Sequence, residues 1–255
     1  MDIESIIAHI PHPDIDQLAE NLGISVSYTY DDYLKYNNKF SQKNVLGKLT
    51  PAWKEIAVGS MSDSQYPVIK RADGSGGWGV FITEKQKEKS LPGAYERFPT
   101  STWFAEEFID GECMSVQIYK EADTYIVFGF GEQIIENQRN FVGAKAKLID
   151  SVVTRYPWIK DKIEETIQHL DILIDTYAGF MGIDFILKPE EQSISILEAN
   201  VRMTSVSITM LLANEKNIEA TLFEGYKGEI NDKNIILSKM GEEVDLIVFS
   251  DENTV

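Results

Sequence analysis

The sequence predicts an α+β fold in which two groups of β-strands are separated by helices. Near residue 75, short runs of β-branched and aromatic residues flank a glycine-rich segment, a pattern that is typical of a β-hairpin. Further on, apolar residues recur at helical spacing over residues 159–177, and two strand-like runs follow at 182–187 and 193–200. A hairpin sheet followed by a helix and a second sheet is the order expected of an α+β chain.

The remaining elements follow along the chain in the same way. Residues 14–36 predict a short helix, a turn at Gly23, a strand and the start of another helix. Residues 37–53 begin as a helix and end at the extended pair Thr50-Pro51. Polar residues 136–147 predict a loop, and residues 205–228 predict a helix. The other predicted strands are 66–70, 79–83, 102–109, 114–120 and 124–135.

Composition and charge exclude several classes of protein. The 255 residues carry a net charge of −17, so we expect no nucleic-acid partner and no anionic membrane surface. No apolar run approaches the roughly 20 residues of a membrane span, and the acidic start is unlike a secretory signal. The single cysteine, Cys113, excludes an intramolecular disulfide and a cysteine-based zinc cluster. We therefore expect a cytoplasmic protein.

The glycine-rich segment contains Gly74-x-Gly76-x-x-Gly79, a pattern shared by several nucleotide sites. A dinucleotide site requires a helix after the glycines, but the β-rich run Val80–Thr83 follows here. A protein-kinase loop requires its lysine on a later strand, whereas Lys70 precedes the glycines. A simple flexible turn remains an alternative at this point. Taken alone, the pattern does not decide between a phosphate-binding loop and a turn.

The order of four separate stretches resembles the ATP-grasp superfamily. These are a helix that begins at Lys39, a strand lysine (Lys70) before a glycine hairpin, a strand ending in Glu106-Glu107, and the late run "GIDFILKPEEQSISILEANVR". The resemblance implies an ATP-grasp fold of two α+β subdomains that sandwich a nucleotide. It divides the chain into a remnant of an N-terminal domain (1–38), a lid subdomain (39–110) and a C-terminal subdomain (111–255).

The resemblance also implies residues that bind ATP. Lys39 and Lys70 are expected to contact phosphates, with Lys43, one helical turn on, as a competing candidate for Lys39. Glycine permits the close approach of backbone N–H groups to phosphate oxygens in the lid. The expected lid residues are Gly74, Ser75, Gly76, Gly77, Trp78 and Gly79. The expected adenine hinge is Glu106, Glu107, Phe108 and Ile109. Glu112 is the candidate for the ribose, although alignment on the following strand places Cys113 there.

The late run supplies a metal site. Asp184 and Glu198 lie 14 residues apart on what we expect to be adjacent antiparallel strands, and Glu198 and Asn200 project from the same face. Three oxygen ligands suit Mg²⁺, with Mn²⁺ as an alternative. The resemblance assigns Arg202 to the transferring phosphate, together with Lys70. Candidates for phosphate or substrate contact without a motif are Gln133, Arg139 and Lys145.

These residues imply an ATP-dependent ligase that joins a small carboxylic acid to an amine through an acyl phosphate and releases ADP and phosphate. The alternatives are an ATP-grasp small-molecule kinase and a non-catalytic nucleotide-binding subunit of a biosynthetic assembly. Family members usually carry a substrate-binding α/β domain before the first lysine, but only 38 residues precede Lys39 here. The acid could therefore bind elsewhere, a second copy or a partner protein could complete the site, or ligation could have been lost.

Overall fold

The structure is a computed structural model. It describes residues 5–6, 10–26, 28–61, 64–74, 79–136, 138, 140–147, 149–207 and 234–237. Within these ranges, no helix is both long enough and apolar enough to cross a membrane.

The N-terminal part of the chain forms a small β–α–β unit. β1 (Ser5–Ile6) pairs in parallel with β2 (Ser25–Val26), and α1 (Pro13–Leu22) connects them. The His12 side chain caps the start of α1, and Gly23 ends the helix with a φ of +65°. The predicted helix, turn and strand of this region are thus present.

Two short helices then pack against the larger sheet of the protein. They are α2 (Tyr30–Tyr36) and α3 (Lys39–Leu46), and one 3-10 turn follows at Gly47–Leu49. Tyr36 and Leu46 are fully buried in the hydrophobic core of that sheet. Helix α3 therefore packs against the larger sheet, and the division of the chain at residue 39 stays a prediction.

Four strands form the smaller sheet, in the order β3-β6-β4-β5 with every neighbouring pair antiparallel. They are β3 (Trp53–Ile56), β4 (Val68–Arg71), β5 (Val80–Phe81) and β6 (Trp103–Glu106). The predicted hairpin is confirmed, because Lys70 on β4 pairs with Val80 on β5. Helix α4 (Glu84–Arg97) covers this sheet through the buried Leu91 and Tyr95.

The larger sheet has the strand order β11-β10-β7-β8-β12, and β9 also pairs with β8. All of these pairs are antiparallel except β12 with β8. The strands are β7 (Glu112–Glu121), β8 (Thr124–Glu136), β9 (Asn140–Lys147), β10 (Gly179–Lys188), β11 (Ser193–Asn200) and β12 (Asn234–Leu237). β11 is the edge strand in this order, with β10 on one side and contacts to α3 as well.

Helices α5 (Ile149–Arg155) and α6 (Ile159–Leu170) complete the core of the larger sheet. The helix predicted over 159–177 is shorter, since α6 ends at Leu170. Ile174 and Tyr177 are nevertheless buried, because the turns after α6 return them to the same core. The helical spacing of the apolar residues therefore continues beyond the helix itself.

One predicted loop is wrong. Residues 140–147 form β9, where the small side chains of Ala144 and Ala146 are buried beside Phe128. Alternation of these alanines with polar residues is a strand pattern, but alanine contributes little to an apolar signal.

Candidate ATP and metal site

A cavity of about 460 Å³ lies between residues of the smaller sheet and residues of the larger sheet. One part of its wall is apolar: Val68, Val80 and Ile82 come from the smaller sheet, and Ile186 and Leu197 from the larger. Residues 107–109, which connect β6 to β7, also line it. Apolar side chains from two sheets with exposed backbone between them form a slot suited to a planar ring with polar edges.

Two lysines that were predicted to bind phosphate lie beside this cavity. Both are more than nine-tenths buried. Lys39, the first residue of α3, forms an ion pair of 2.6 Å between its Nζ and Oε2 of Glu198, and it also donates to the carbonyl of Gly74. Lys70 on β4 forms an ion pair with Glu106. The structure therefore brings both ammonium groups and the start of the glycine segment to one cavity.

Glu106 is held by two buried lysines. Its Oε2 lies 2.6 Å from Nζ of Lys43, and its Oε1 contacts Lys70. Burial alone would raise the pKa of Glu106, but the two ammonium groups lower it below the ordinary value. Burial lowers the pKa of Lys43, and the attraction of Glu106 opposes that change. Lys43, the competing candidate for phosphate, is thus a partner of Glu106 and does not line the cavity.

The three predicted metal ligands meet at the other end of the cavity. Asp184 on β10 is the register partner of Glu198 on β11, which confirms the predicted antiparallel pair. The Asn200 amide nitrogen donates to Oδ2 of Asp184 at 3.0 Å and to Oε1 of Glu198 at 3.4 Å. Gln133 donates to the other oxygen of Asp184 at 2.7 Å. One amide therefore lies between two carboxylates.

The two carboxyl groups have different proton affinities. Burial, and then the like charge of Glu198, raise the pKa of Asp184 to about 7. Burial would also raise the pKa of Glu198, but Lys39 holds it below the ordinary value. Of the two, Glu198 is therefore the fully ionised partner near neutral pH, and Asp184 titrates there.

The residues at this end fit a divalent cation. In the part of the chain that the structure describes, no group of three or more His, Cys, Asp and Glu could hold a metal ion. The set here is two carboxylates and an amide, oxygen donors of the kind that Mg²⁺ takes together with phosphate oxygens and water. The repulsion between Asp184 and Glu198 also favours a cation, since a positive ion beside them would remove it.

Arg202 lies directly after β11 and also lines the cavity. Its guanidinium donates to the backbone carbonyl of Met203 at 3.1 Å, and its charge lowers the pKa of Asp184. An arginine beside a carboxylate pair and two lysines can neutralise the oxygens of a transferring phosphate.

Helices α2 and α3 hold the strand that carries these ligands. The Gln42 amide accepts a hydrogen bond from the backbone N–H of Ala199 at 2.8 Å and donates one to its carbonyl at 2.5 Å. Asn37 accepts from the backbone N–H of Val201 at 2.9 Å. Gln42 is buried, and its side-chain amide makes the two hydrogen bonds to the β11 backbone that a neighbouring strand would otherwise make. Ala199 lies between Glu198 and Asn200, so this clamp fixes the backbone of both.

Other predicted residues have different positions. Glu112 is exposed at the start of β7, whereas Cys113 lines the cavity. Lys145 lies on β9 opposite Glu132 and is not among the residues that line the cavity. Arg139 and residues 75–78, with Trp78 at the tip, lie outside the described residues.

Gly79 lies directly before β5 and has a conformation that favours glycine. Its φ is +82°, and a Cβ there would lie 3.0 Å from Cβ of Arg71. Its carbonyl accepts from the backbone N–H of Arg71 at 2.9 Å, which closes the base of the hairpin. A side chain at this position would strain the backbone where the glycine segment returns to the sheet.

Several residues of the site were missed by the sequence analysis. Gln42 lies on the same helix as Lys39, and Ser115 and Gln117 lie on β7 behind Asp184. The signal for the last two was present: they are polar residues in alternation with Met114, Val116 and Ile118. Polar residues on one face of a strand that is buried on both faces indicate a buried polar network.

Comparisons with known proteins agree with this geometry. A family model described as an ATP-grasp domain matches residues 36–206, more than half of the chain. A search of curated protein sequences found no match.

Solved structures share the fold at low sequence identity. An L-amino acid ligase from Bacillus licheniformis aligns with a TM-score of 0.57 and 16% identity, over 82% of this chain and 52% of that one. A biotin carboxylase from Campylobacter jejuni aligns with a TM-score of 0.62 and 16% identity, over 90% and 55%. The biotin carboxylase domain of a Hydrogenobacter thermophilus 2-oxoglutarate carboxylase, with MgADP, aligns at 0.61 and 15%, over 84% and 51%.

This chain therefore spans about half the length of each of those structures. At such identities the likeness establishes the fold, and the family model establishes the relationship. The α+β architecture predicted from the sequence is the architecture of these neighbours. The chain belongs to the ATP-grasp family.

Proposed function

We propose that this protein is an ATP-dependent ligase that activates a small carboxylic acid as an acyl phosphate and transfers the acyl group to an amine, with release of ADP and phosphate. The observation that carries the proposal is the meeting of opposite charges at one end of the cavity. Lys39 contacts Glu198, and Asp184, Asn200 and Arg202 adjoin them. A bound Mg–triphosphate needs this combination of cations for phosphate oxygens and anions for the metal.

Each residue has a role that follows from its position. The apolar slot would take the adenine ring, and the backbone of residues 107–109 its polar edge. Lys39 and Lys70 would exchange their carboxylate partners for phosphate oxygens when the nucleotide binds. Asp184, Glu198 and Asn200 would hold Mg²⁺, which would supply positive charge beside the phosphates. An L-amino acid ligase and a MgADP complex among the structural neighbours support both parts of this assignment.

The reaction would then proceed in two steps. The carboxylate oxygen of the acid attacks the γ-phosphorus of ATP, the bond to the bridging oxygen breaks, and ADP leaves. Arg202 would stabilise the charge on the transferring phosphoryl group. The amine nitrogen next attacks the acyl carbon, phosphate leaves and the nitrogen loses a proton. Positioning of the reactants in the cavity would supply much of the rate.

The test is release of ADP and phosphate from Mg-ATP in the presence of pools of amino acids and small carboxylic acids. A ligase releases free phosphate in proportion to ADP, and Glu198→Gln should abolish both. Glu190→Gln is the matched control, because it removes the same charge from the exposed turn between β10 and β11. ADP formed with phosphate left on the acceptor would establish a kinase instead. ATP binding without turnover in any pool would favour a non-catalytic subunit.

A further inference from the structure

A buried polar network lies behind Asp184. Ser115 and Gln117 are adjacent polar positions on one face of β7, and both are fully buried. Thr204 and Ser207, which follow Arg202 along the chain, are also buried and meet the same glutamine. Four buried polar side chains with little or no contact to water require hydrogen bonds among themselves and their neighbours.

The hydrogen bonds of this network run in one direction. The hydroxyls of Thr204 and Ser207 both donate to Oε1 of Gln117, at 2.8 and 2.5 Å. The amide nitrogen of Gln117 donates to Oγ of Ser115 at 2.6 Å. Since that oxygen accepts from Gln117, the hydroxyl hydrogen of Ser115 is available to donate to Asp184, its register partner on β10, whose pKa it lowers. Every donor thus points toward the Asp184 carboxylate, an order in which each hydrogen bond strengthens the next.

Gly182 permits this arrangement. It is the register partner of Gln117 and lies two residues before Asp184, on the same face of β10. A Cβ at Gly182 would lie 2.7 Å from Cγ2 of Thr204 and 3.1 Å from Oε1 of Gln117. The absence of a side chain lets the segment after Arg202 approach the sheet closely enough to reach Gln117.

The network therefore joins two parts of the site that come from different elements. At one end Ser115 orients Asp184 on β10. At the other end Thr204 and Ser207 anchor the turn that begins two residues after Arg202, and Thr204 itself lines the cavity. Thr204 and Ser207 also cap each other's backbone N–H groups, both at 3.1 Å, so this turn has one defined shape.

We propose that Gln117 and Ser115 are positioning residues that hold the Asp184 carboxylate in the orientation needed to bind the divalent cation, and that Gln117 sets the distance between Asp184 and the Arg202 turn. This inference rests on the proposed function, because it assigns Asp184 to a nucleotide-bound metal. Groups that orient a metal ligand through a hydrogen bond typically change metal affinity by about 10- to 100-fold when they are removed.

Two variants separate the parts of the network. Ser115→Ala removes the hydrogen bond to Asp184 and keeps the contact of Gln117 with Thr204 and Ser207. Gln117→Met keeps the length of the side chain and removes its hydrogen bonds with Ser115 on one side and with Thr204 and Ser207 on the other. The matched control is Thr166→Val, which deletes an equally buried hydroxyl on α6 that donates to the carbonyl of Lys162 and is not part of the network.

The experiment measures ATP binding by calorimetry, first in EDTA and then with increasing Mg²⁺. Mg²⁺ should enhance the binding of ATP, and we expect Ser115→Ala to raise the Mg²⁺ concentration at half of this enhancement about tenfold or more. The affinity for ATP in EDTA should change by less than about twofold. In the double variant Ser115→Ala/Gln117→Met, the loss of Mg²⁺ affinity should be smaller than the sum of the two single losses, since Gln117 acts on Asp184 through the Ser115 hydroxyl. If Gln117→Met does not fold, Ser115→Ala alone carries the test.

Three distinct outcomes would contradict either the proposed function or the positioning role of Ser115 and Gln117. If wild type and Thr166→Val show no Mg²⁺-dependent binding of ATP, the proposed function fails. If they bind and Ser115→Ala has the wild-type Mg²⁺ dependence, the positioning role is wrong. If Ser115→Ala weakens binding equally in EDTA and in Mg²⁺, the network serves only the fold, and the positioning role is again wrong.

Discussion

Replacement of Asp184 by asparagine should make the ligand-free protein more stable while it removes the response to Mg²⁺. Burial and the charge of Glu198 raise the pKa of Asp184 from its ordinary value of 3.8 to about 7. Between these values the folded protein retains a proton that the unfolded chain has released. The free energy of unfolding therefore falls as the pH rises from about 4 to about 7, and the loss is complete above that range.

The size of this effect follows from the shift. About three pKa units correspond to about 4 kcal/mol of unfavourable free energy above pH 7. This is an upper limit, because Asp184 borders the cavity and keeps partial contact with water. Asparagine has the same size without the charge, so we expect Asp184→Asn to gain about 1–4 kcal/mol, or several degrees in melting temperature. The gain should increase by about 2 kcal/mol between roughly pH 5.5 and pH 8.5.

Urea unfolding of the two proteins at several pH values, without nucleotide or metal, measures this difference. Glu190→Gln is the control for removal of one negative charge from an exposed position. With Mg-ATP the order should reverse, because wild type gains stability from the ligand and Asp184→Asn does not. If Asp184→Asn is less stable than wild type near pH 8, or if the difference does not grow with pH, Asp184 is not a destabilised carboxylate and the argument for a cation there is lost.

Three further substitutions test other parts of the site. Gln42→Leu should lower the free energy of unfolding, measured in urea, by about 2–4 kcal/mol, because it leaves buried backbone groups of β11 without a partner. The control Gln17→Leu, at an exposed position on α1, should change it by less than about 0.5 kcal/mol. Equal effects of the two variants would show that Gln42 does not stabilise β11. Lys70→Met should abolish the rise in melting temperature with Mg-ATP. Lys43→Met should lower the free energy of unfolding by about 3–5 kcal/mol and leave that rise detectable. The opposite result would assign the phosphate contact to Lys43 and the structural role to Lys70. Gly79→Ala should cost about 1–3 kcal/mol and weaken ATP binding, since its φ of +82° disfavours a side chain; no loss on either measure would contradict a strained hairpin base.

The strands that carry the metal ligands could be predicted from the sequence because their signals are local. A short turn joins two strand-like runs, which makes them antiparallel neighbours and brings Asp184 opposite Glu198. The alternation of Glu198 and Asn200 then places both on one face. Neither step depends on a distant part of the chain.

Elements with weak local signals were missed for physical reasons. Helix α4 is strongly polar and contains Pro92, so it has neither a clear apolar face nor a regular helical composition. What stabilises it is the capping box of Thr83 and Gln86 and the contact of Leu91 with the smaller sheet. Short-range patterns do not contain that contact, because the sheet strands that provide it lie on both sides of α4 in the chain.

The roles of Lys39 and Lys43 show where the prediction from spacing ends. Four residues apart, they share one face of α3, and spacing alone allows either to contact phosphate. Their partners distinguish them: Lys39 meets Glu198 from the larger sheet, and Lys43 meets Glu106 from the smaller one. Because α3 is also bound to β11 through Gln42, this one helix connects the predicted metal ligands on β11 to β6, the strand that carries Glu106. A shift of α3 would therefore move the predicted phosphate and metal contacts together, a coupling that arises only when the helix has docked between both sheets.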